Sequence, residues 1–341
     1  MKIGITPLIA ENIVPSNIKG LAVFNGDTKI CDVDISKMKP NNLGKKLYSF
    51  GLVADIHIFH LPANWNPNPK FDNALTYFES KNCIMCVVAG DLTQAGFYMD
   101  KTENDVTTYY YDEGQFAKYK EICDKHTIPV YELCGNHESM FNKSITAHLD
   151  KLNVYTGKGV LSYTIEQQND LFILIGQPQG NVVMSDEDLQ WLSETLEANK
   201  NRRCFVFVHA YIEEDSGDAM DVRENSIFEY WGEVNKNAFM NLLRQYPNTI
   251  LFHGHSHMKF ECQKLDKSAN YTDKNGFKSV HIPSLGVPRD VDTVKKESIN
   301  DDSASQGYIV DVYDDCIVLN GMDLINNKLV LLGYYKIDTT L

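Results

Sequence analysis

No stretch of this 341-residue chain approaches the roughly 18 consecutive apolar residues that a membrane-spanning helix requires. Its longest apolar runs, CIMCVVAG (83–90) and CFVFV (204–208), are only strand-length. A secretory signal is not expected either: Pro7 breaks the apolar start, and Glu11 and Asn12 end it before any small-residue cleavage site. These absences predict a cytoplasmic protein with no membrane contact. Positive charge is scarce, with 32 Lys and Arg against 46 Asp and Glu and a formal net charge of -14. Such a surface repels phosphate backbones, which excludes non-specific nucleic-acid coating. A nuclease or nucleotidase stays open, because bound metal can make one pocket locally positive. Cysteine is modest at eight residues. Cys83, Cys86, Cys134 and Cys204 lie in apolar segments where a thiol acts as a small hydrophobe, as expected in a reducing compartment. The CxxC of Cys83 and Cys86 has no second pair at zinc-ribbon spacing, so it reads as core.

What is present is a globular balance, 43% hydrophobic and 23% charged, in a length that suits one large domain or two. Short runs rich in Val, Ile, Phe and Cys alternate with segments of helical period, the pattern of helices covering buried strands. The runs are 47–55, 83–91, 128–136, 171–176, 204–210 and 249–255, and the helices fall at about 68–82, 113–126, 186–199 and 236–246. Ser185 with Asp188 opens the third helix as a capping box, and Leu189, Leu192 and Leu196 form its apolar face. The class is therefore α/β or α+β. LAVF and TKICDVDI flank Asn25-Gly26-Asp27 as in a hairpin, and residues 306–338 read as three antiparallel strands with turns at Asp314-Asp315 and Asn326-Asn327. The expected organisation is a β-rich extension (1–46), a catalytic domain (47–286), and a loop with C-terminal strands that complete it or dock on it (287–341). Three polar stretches, 94–112, 211–234 and 287–305, resist assignment to elements.

The chemistry lies in where metal-binding side chains fall. Asp55, His57, Asp91, Asn136, His209, His255 and His257 cluster at the ends of five apolar runs. On extended chain, residues i and i+2 point to one side, so Asp55 with His57, and His255 with His257, each read as a pincer. Gly90, Gly135 and Gly254 stand just before ligands and let the backbone turn sharply at the strand's C-terminal edge. A mixed imidazole, carboxylate and amide set without cysteine suits borderline transition metals: Mn, Fe, Zn, Co or Ni. Seven ligands exceed what one ion needs but fit two ions sharing a carboxylate. Such a pair activates a water and neutralises the charge that builds on phosphate, so the set points to hydrolysis of a phosphate ester.

The ordered set DIH, GD, GNHE, a lone strand-end His, and GHSH resembles the calcineurin-like metallophosphoesterase superfamily over residues 55–257. The resemblance implies two packed β-sheets flanked by helices, an αββα sandwich, with the site at the strands' C-terminal ends. Carried over by motif, Asp55, His57 and His257 hold one metal, Asn136, His209 and His255 the other, and Asp91 bridges them. His137 matches the family's catalytic histidine and would act as general acid while a metal-bridging hydroxide attacks phosphorus. Two departures narrow the branch. The second block runs Gly90-Asp91-Leu92-Thr93-Gln94, without the acidic or tyrosine residue that often follows, and His57 stands where purple acid phosphatases have glycine. A ferric purple site is thereby disfavoured.

The expected protein is a dinuclear phosphoesterase acting on a small phosphorylated substrate. Phosphodiesters or nucleotides are preferred, because no dense Arg or Lys cluster near the motifs would grip a dianionic monoester. His60 and Arg289 are the candidate substrate contacts, and His253 is a candidate for a place behind the ligands. The rivals are a phosphomonoesterase of the same family and a non-catalytic phage- or envelope-associated module on the same fold, motivated by the β-rich ends.

Overall fold

The computed structural model describes residues 21–25, 28–33, 43–59, 66–103, 106–111, 113–139, 144–179, 182–212, 233–262, 270–273, 275–292 and 297–339. In chain order the elements begin with β1 (Leu21–Asn25), β2 (Thr28–Val33), β3 (Lys46–Val53), α1 (Asn68–Ser80), β4 (Cys86–Ala89), β5 (Tyr98–Glu103), β6 (Val106–Tyr111), α2 (Gly114–Cys123) and β7 (Val130–Leu133). Next come α3 (Leu149–Thr156), β8 (Tyr163–Gln167), β9 (Asp170–Leu174), α4 (Asp186–Ala198), β10 (Cys204–Phe207), α5 (Glu233–Gln245) and β11 (Thr249–His253). The chain ends with β12 (Tyr271–Thr272), β13 (Lys278–His281), β14 (Arg289–Asp292), β15 (Glu297–Asn300), β16 (Gln306–Tyr313), β17 (Cys316–Asp323) and β18 (Lys328–Asp338).

Two six-stranded mixed sheets form the body, ordered β18-β17-β16-β3-β4-β7 and β12-β13-β11-β10-β9-β8. β3, β4 and β7 run parallel, as do β9, β10, β11 and β13, while the outer strands pair antiparallel. Two-residue alternation explains why both faces are apolar. In β10, Phe205 and Phe207 enter the core between the sheets, and Cys204 and Val206 face α4 and α5. In β4, Val87 and Ala89 join that central core, and Cys86 and Val88 pack under α1 and α2. The rings of Phe172, Phe207 and Phe252 stack across three neighbouring strands, with centroids 5.9 and 5.0 Å apart. This is the α/β sandwich of two packed sheets that the motifs imply.

The six expected strands and four expected helices are present. α1 buries Phe71, Ala74, Leu75 and Phe78, a single helical stripe. α4 opens with the Ser185–Asp188 capping box, and buries Leu192 and Leu196, with Leu189 packed beside them. The N-terminal hairpin and the three C-terminal strands pair antiparallel as expected, and β16 lies beside β3 in the first sheet. Two of the unassigned polar stretches hold hairpins: β5 with β6 inside 94–112, and β14 with β15 inside 287–305. The VTTYYY of β6 is β-branched and aromatic, a propensity that polar flanks concealed. Of 211–234, residues 213–232 lie outside the described residues. No helix among the described residues is long and apolar enough to cross a membrane.

Candidate metal centre

The site lies at the C-terminal edge of five parallel strands, β3, β4, β7, β10 and β11, where the loops after both sheets meet. The β3 and β4 loops continue their ladder past the strands: Asp55 N–H donates to Gly90 O at 3.0 Å, His57 N–H to Asp91 O at 3.0 Å and Ile58 N–H to Leu92 O at 2.9 Å. The backbone there is not the extended chain expected from i, i+2 spacing. Asp55, His57, Asp91, His255 and His257 all have left-handed φ, between 50° and 69°. At these left-handed residues the chain turns, and of the two i, i+2 pairs only Asp55 with His57 brings its donor atoms into one cluster. Donor atoms of Asp55, His57, Asp91 and His257 lie within 4.8 Å of one another, and so do those of Asp91, His209 and His255. His255 and His257 therefore serve two neighbouring clusters, with Asp91 common to both.

Asn136 completes the second cluster, its Oδ1 lying 2.8 Å from His255 Nδ1 and 3.1 Å from His209 Nε2. Space here is tight: a Cβ on Gly135 would stand 2.3 Å from Asp91 Oδ1, and one on Gly90 2.4 Å from His209 Nδ1. His209 and His257 are fixed from behind, each giving its Nδ1–H to a backbone carbonyl, Ala89 O and Val287 O, at 2.9 Å. A carbonyl can only accept, so in each ring Nδ1 carries a proton and Nε2 is the atom turned into the site.

Each aspartate divides its oxygens between frame and site. Asp55 Oδ2 accepts from His255 N–H at 3.0 Å, and Asp91 Oδ1 accepts from His137 N–H at 2.9 Å. Their other oxygens, Asp55 Oδ1 and Asp91 Oδ2, are buried and have no hydrogen-bond partner. They face imidazole nitrogens: His257 Nε2 is 3.2 Å from Asp55 Oδ1, and His209 Nε2 is 3.2 Å from Asp91 Oδ2. His57 Nε2 and His257 Nε2 converge to 3.1 Å. Lone pairs on nitrogen and on carboxylate pointing at each other in a buried site repel unless a cation lies between them. The residues thus fit two divalent ions, which the donor chemistry would hold without thiolate.

The electrostatics agree. Burial would raise Asp55 and Asp91, but neighbouring histidines hold both well below the usual carboxylate range. Burial pushes His57 and His257 down, so both present lone pairs. Burial also opposes charge on His209, yet the carboxylates of Asp91 and Asp55 draw it up to about 10. The negative field that would keep a proton there is the field that a metal cation replaces.

His137 stands at the rim with its side chain 23% exposed and its Nε2 3.9 Å from Asp91 Oδ2. Its Nδ1 donates to Gln94 O at 2.6 Å, and its ring meets that of His57 edge-on at 4.6 Å. Arg289 is partly exposed at the start of β14, its N–H donating to His257 O at 2.8 Å, and its guanidinium is close enough to His257 to help depress that imidazole. His60 lies outside the described residues. His253 is buried behind the ligands, its ring centroid 5.8 Å from that of His281.

Several framing residues carried no sequence signal as site residues. Glu138 is fully buried; its Oε1 accepts from Thr93 N–H and Oγ1–H at 2.9 and 3.0 Å, and its Oε2 from Gly135 N–H at 2.7 Å. It joins the loop after β4 to the loop after β7, and burial together with the Asp91 carboxylate raises its pKa. Ser256 Oγ and His281 Nε2 are 2.6 Å apart beneath the His255–His257 turn. The Tyr211 ring stacks 5.8 Å from that of His255. Only the Glu138 position could have been found, from its place in GNHE.

Comparison with known proteins agrees with this geometry. The calcineurin-like phosphoesterase family matches over residues 48–259. Among solved structures, a dimetal phosphatase from Danio rerio is similar over 87% of this chain and 100% of its own, with 15% identity and a TM-score of 0.59. A second, described as GAP50, the anchor in the inner membrane complex of Plasmodium, is similar over 87% of this chain and 90% of its own, with 12% identity and a TM-score of 0.54. At these identities the likeness is one of fold. No curated protein matches the sequence significantly.

Proposed function

Because the chain belongs to the calcineurin-like phosphoesterase family and is thus a metal-dependent hydrolase of phosphoric esters, we propose that it cleaves a phosphodiester or nucleotide-type substrate with His137 as general acid. Asp55, His57 and His257 would hold one ion, Asn136, His209 and His255 the second, with Asp91 serving both. The observation that carries this is the pair of buried carboxylate oxygens, Asp55 Oδ1 and Asp91 Oδ2, aimed without hydrogen bonds at imidazole nitrogens. Bound divalent ions would supply charge neutralisation on the phosphoryl oxygens and a more acidic water.

The chain's own groups do the rest. His137 gives its Nδ1–H to Gln94 O, which leaves Nε2 to carry a proton toward the leaving oxygen. Asp91 Oδ1 anchors the same residue's backbone, so the acid and the shared carboxylate keep a fixed separation. Arg289 reaches a substrate phosphate from the β14 side. The preference for diesters draws support from Lys259, which is occupied by Asp290 at 2.8 Å and Asp301 at 2.7 Å rather than offered to a dianion.

The test is hydrolysis of a chromogenic phosphodiester by Mn²⁺-loaded protein beside a chelator-treated sample. Turnover that needs the metal, and exceeds turnover of the matching monoester, is expected; a monoester preference would refute the diester reading. Asp91→Ala should lose metal and activity together. His137→Ala should keep both ions and lose about 10²- to 10⁴-fold in kcat on esters with poor leaving groups. The likeness to the Plasmodium anchor favours one rival, a binding module on this fold. A protein that purifies with well under two ions per chain and cleaves neither ester class would establish that rival.

A further inference from the structure

Among the described residues, the cavity between the C-terminal turns of α2 and α3, about 450 Å³, has its buried polar groups already bonded. Glu132 takes Tyr119 Oη at 3.0 Å and Lys158 Nζ at 3.4 Å, and His126 lies between Asp72 and Glu79, so nothing there calls for a ligand. The frame around His137 carries more.

Gln115 is a fully buried glutamine in the first turn of α2, and glutamine is rarely found wholly inside a protein. Its Oε1 accepts two backbone hydrogens from the loop after β4: Gln94 N–H at 2.9 Å and Ala95 N–H at 3.0 Å. The second bond matters for chemistry. Ala95 N–H and Gln94 C=O belong to one peptide unit, and a trans peptide is rigid, with its N–H and C=O directed oppositely. Holding Ala95 N–H on the α2 side therefore aims Gln94 O the other way, and that oxygen accepts His137 Nδ1–H at 2.6 Å. Gln94 N–H has a second acceptor in Ile58 O at 3.1 Å, and Gly96 N–H is tied to Thr93 Oγ1 at 2.8 Å. These bonds lie on either side of the 94–95 peptide, so neither fixes its plane.

We propose that Gln115 is a positioning residue for His137: through the 94–95 peptide plane it sets the ring orientation that keeps Nε2 toward the leaving group. The inference rests on the general-acid reading of His137. What Gln115 supplies is an acceptor oxygen. Gln115→Met fills the same space without one, and Gln115→Glu retains one.

The experiment compares wild type, Gln115→Met, Gln115→Glu and His137→Ala as Mn²⁺-loaded proteins with metal content measured. Substrates are aryl and alkyl phosphodiesters spanning good to poor leaving groups. Gln115→Met is expected to keep both ions, with KM within about twofold. It should lose roughly 10- to 100-fold in kcat on the poor leaving group and less than about threefold on the good one. Gln115→Glu should recover most of that loss. Equal losses across the series, or no difference between Met and Glu, would overturn the assignment and leave a packing role.

A second readout does not depend on turnover: the downfield imidazole N–H resonance of His137 in protein loaded with diamagnetic Zn²⁺ instead of Mn²⁺, identified by its loss in His137→Ala. It should vanish or shift in Gln115→Met and persist in Gln115→Glu. If His137→Ala itself shows no leaving-group dependence, the general-acid reading fails. That resonance then decides whether Gln115 orients the ring, and an unchanged signal in Gln115→Met refutes it.

Discussion

Gly135→Ala places one methyl group in the tightest part of the site. A Cβ at this position would lie 2.3 Å from Asp91 Oδ1, 2.6 Å from Asp91 N and 2.7 Å from His209 Cδ2, the first roughly 1 Å short of an ordinary non-bonded contact. The backbone is no obstacle, since Gly135 does not adopt a left-handed φ. The whole cost therefore falls on the neighbours. Asp91 cannot retreat cheaply, because Oδ1 holds His137 N–H at 2.9 Å and its peptide oxygen accepts from His57 N–H at 3.0 Å. A shift of about 1 Å in Asp91 or His209 should cost on the order of 10²-fold in kcat/KM, about 2.7 kcal/mol of transition-state stabilisation. Metal per chain by elemental analysis and kcat/KM at saturating Mn²⁺ are the readouts, with thermal unfolding to confirm a native fold. Gly157→Ala is the control. Its Cβ would meet nothing within 4 Å, although φ is 73°. It should cost about 1–2 kcal/mol of stability and leave kcat/KM unchanged. A Gly135→Ala protein with two ions and wild-type kcat/KM would refute the steric argument.

Two further predictions concern stability. Glu79 Oε1 accepts from Thr127 N–H, Thr127 Oγ1–H and Ile128 N–H at 2.6, 2.8 and 3.0 Å, and these bonds, that from the Thr127 side chain foremost, hold its pKa near 2 instead of 4.5. A lowered carboxylate pKa means stability that is complete above pH 4.5 and lost as pH falls toward 2. Wild type should exceed Glu79→Gln by about 1–2 kcal/mol in denaturant unfolding at pH 7, with the gap shrinking steadily as pH falls from 4.5 toward 2; a gap independent of pH would count against the assignment. Arg203 clamps the two sheets at the edge opposite the metal centre, bonding Asp170 through Nε and Nη2 at 2.9 and 2.7 Å, and Tyr313 O and Thr339 Oγ1 through Nη1, each at 2.9 Å. Arg203→Ala leaves the Asp170 carboxylate buried without its partner and should cost roughly 3–5 kcal/mol, while kcat of the folded protein stays at the wild-type value. A parallel loss of kcat would show that the clamp reaches the site.

The sheets were readable because both faces of each are covered, so strands such as CFVF and CVVA appear as unbroken apolar runs. The candidate ligands were readable because each stands where such a run stops. α3 was not, since it buries only Leu152 and leaves Val154 65% exposed, a pattern without an apolar stripe. β13 was hidden for another reason. Its KSVH is short, and it is a strand because β11 offers a parallel edge, with Ile250 opposite Lys278 and His253 opposite His281.

The backbone at the site illustrates what residue types alone do not encode. Among the described residues, eight other than glycine have left-handed φ, and five of these are the candidate ligands Asp55, His57, Asp91, His255 and His257. Such conformations cost about 1–3 kcal/mol each, and they persist here because ladder bonds between the β3 and β4 loops, and anchors from Ser284 and Gly286 to Asp55 O, over-determine them. Spacing could show that these side chains belonged together, but only the strained turns divide His255 from His257 between two clusters. The atoms that aim the histidines are mostly main-chain carbonyls, those of Ala89, Gln94 and Val287. Any residue supplies a carbonyl, so the candidate ligands leave a mark in the sequence and their aim does not. Gln115 is the exception: its grip on the loop needs a side-chain acceptor at one buried position of α2, which makes the aiming of His137 accessible to a single substitution.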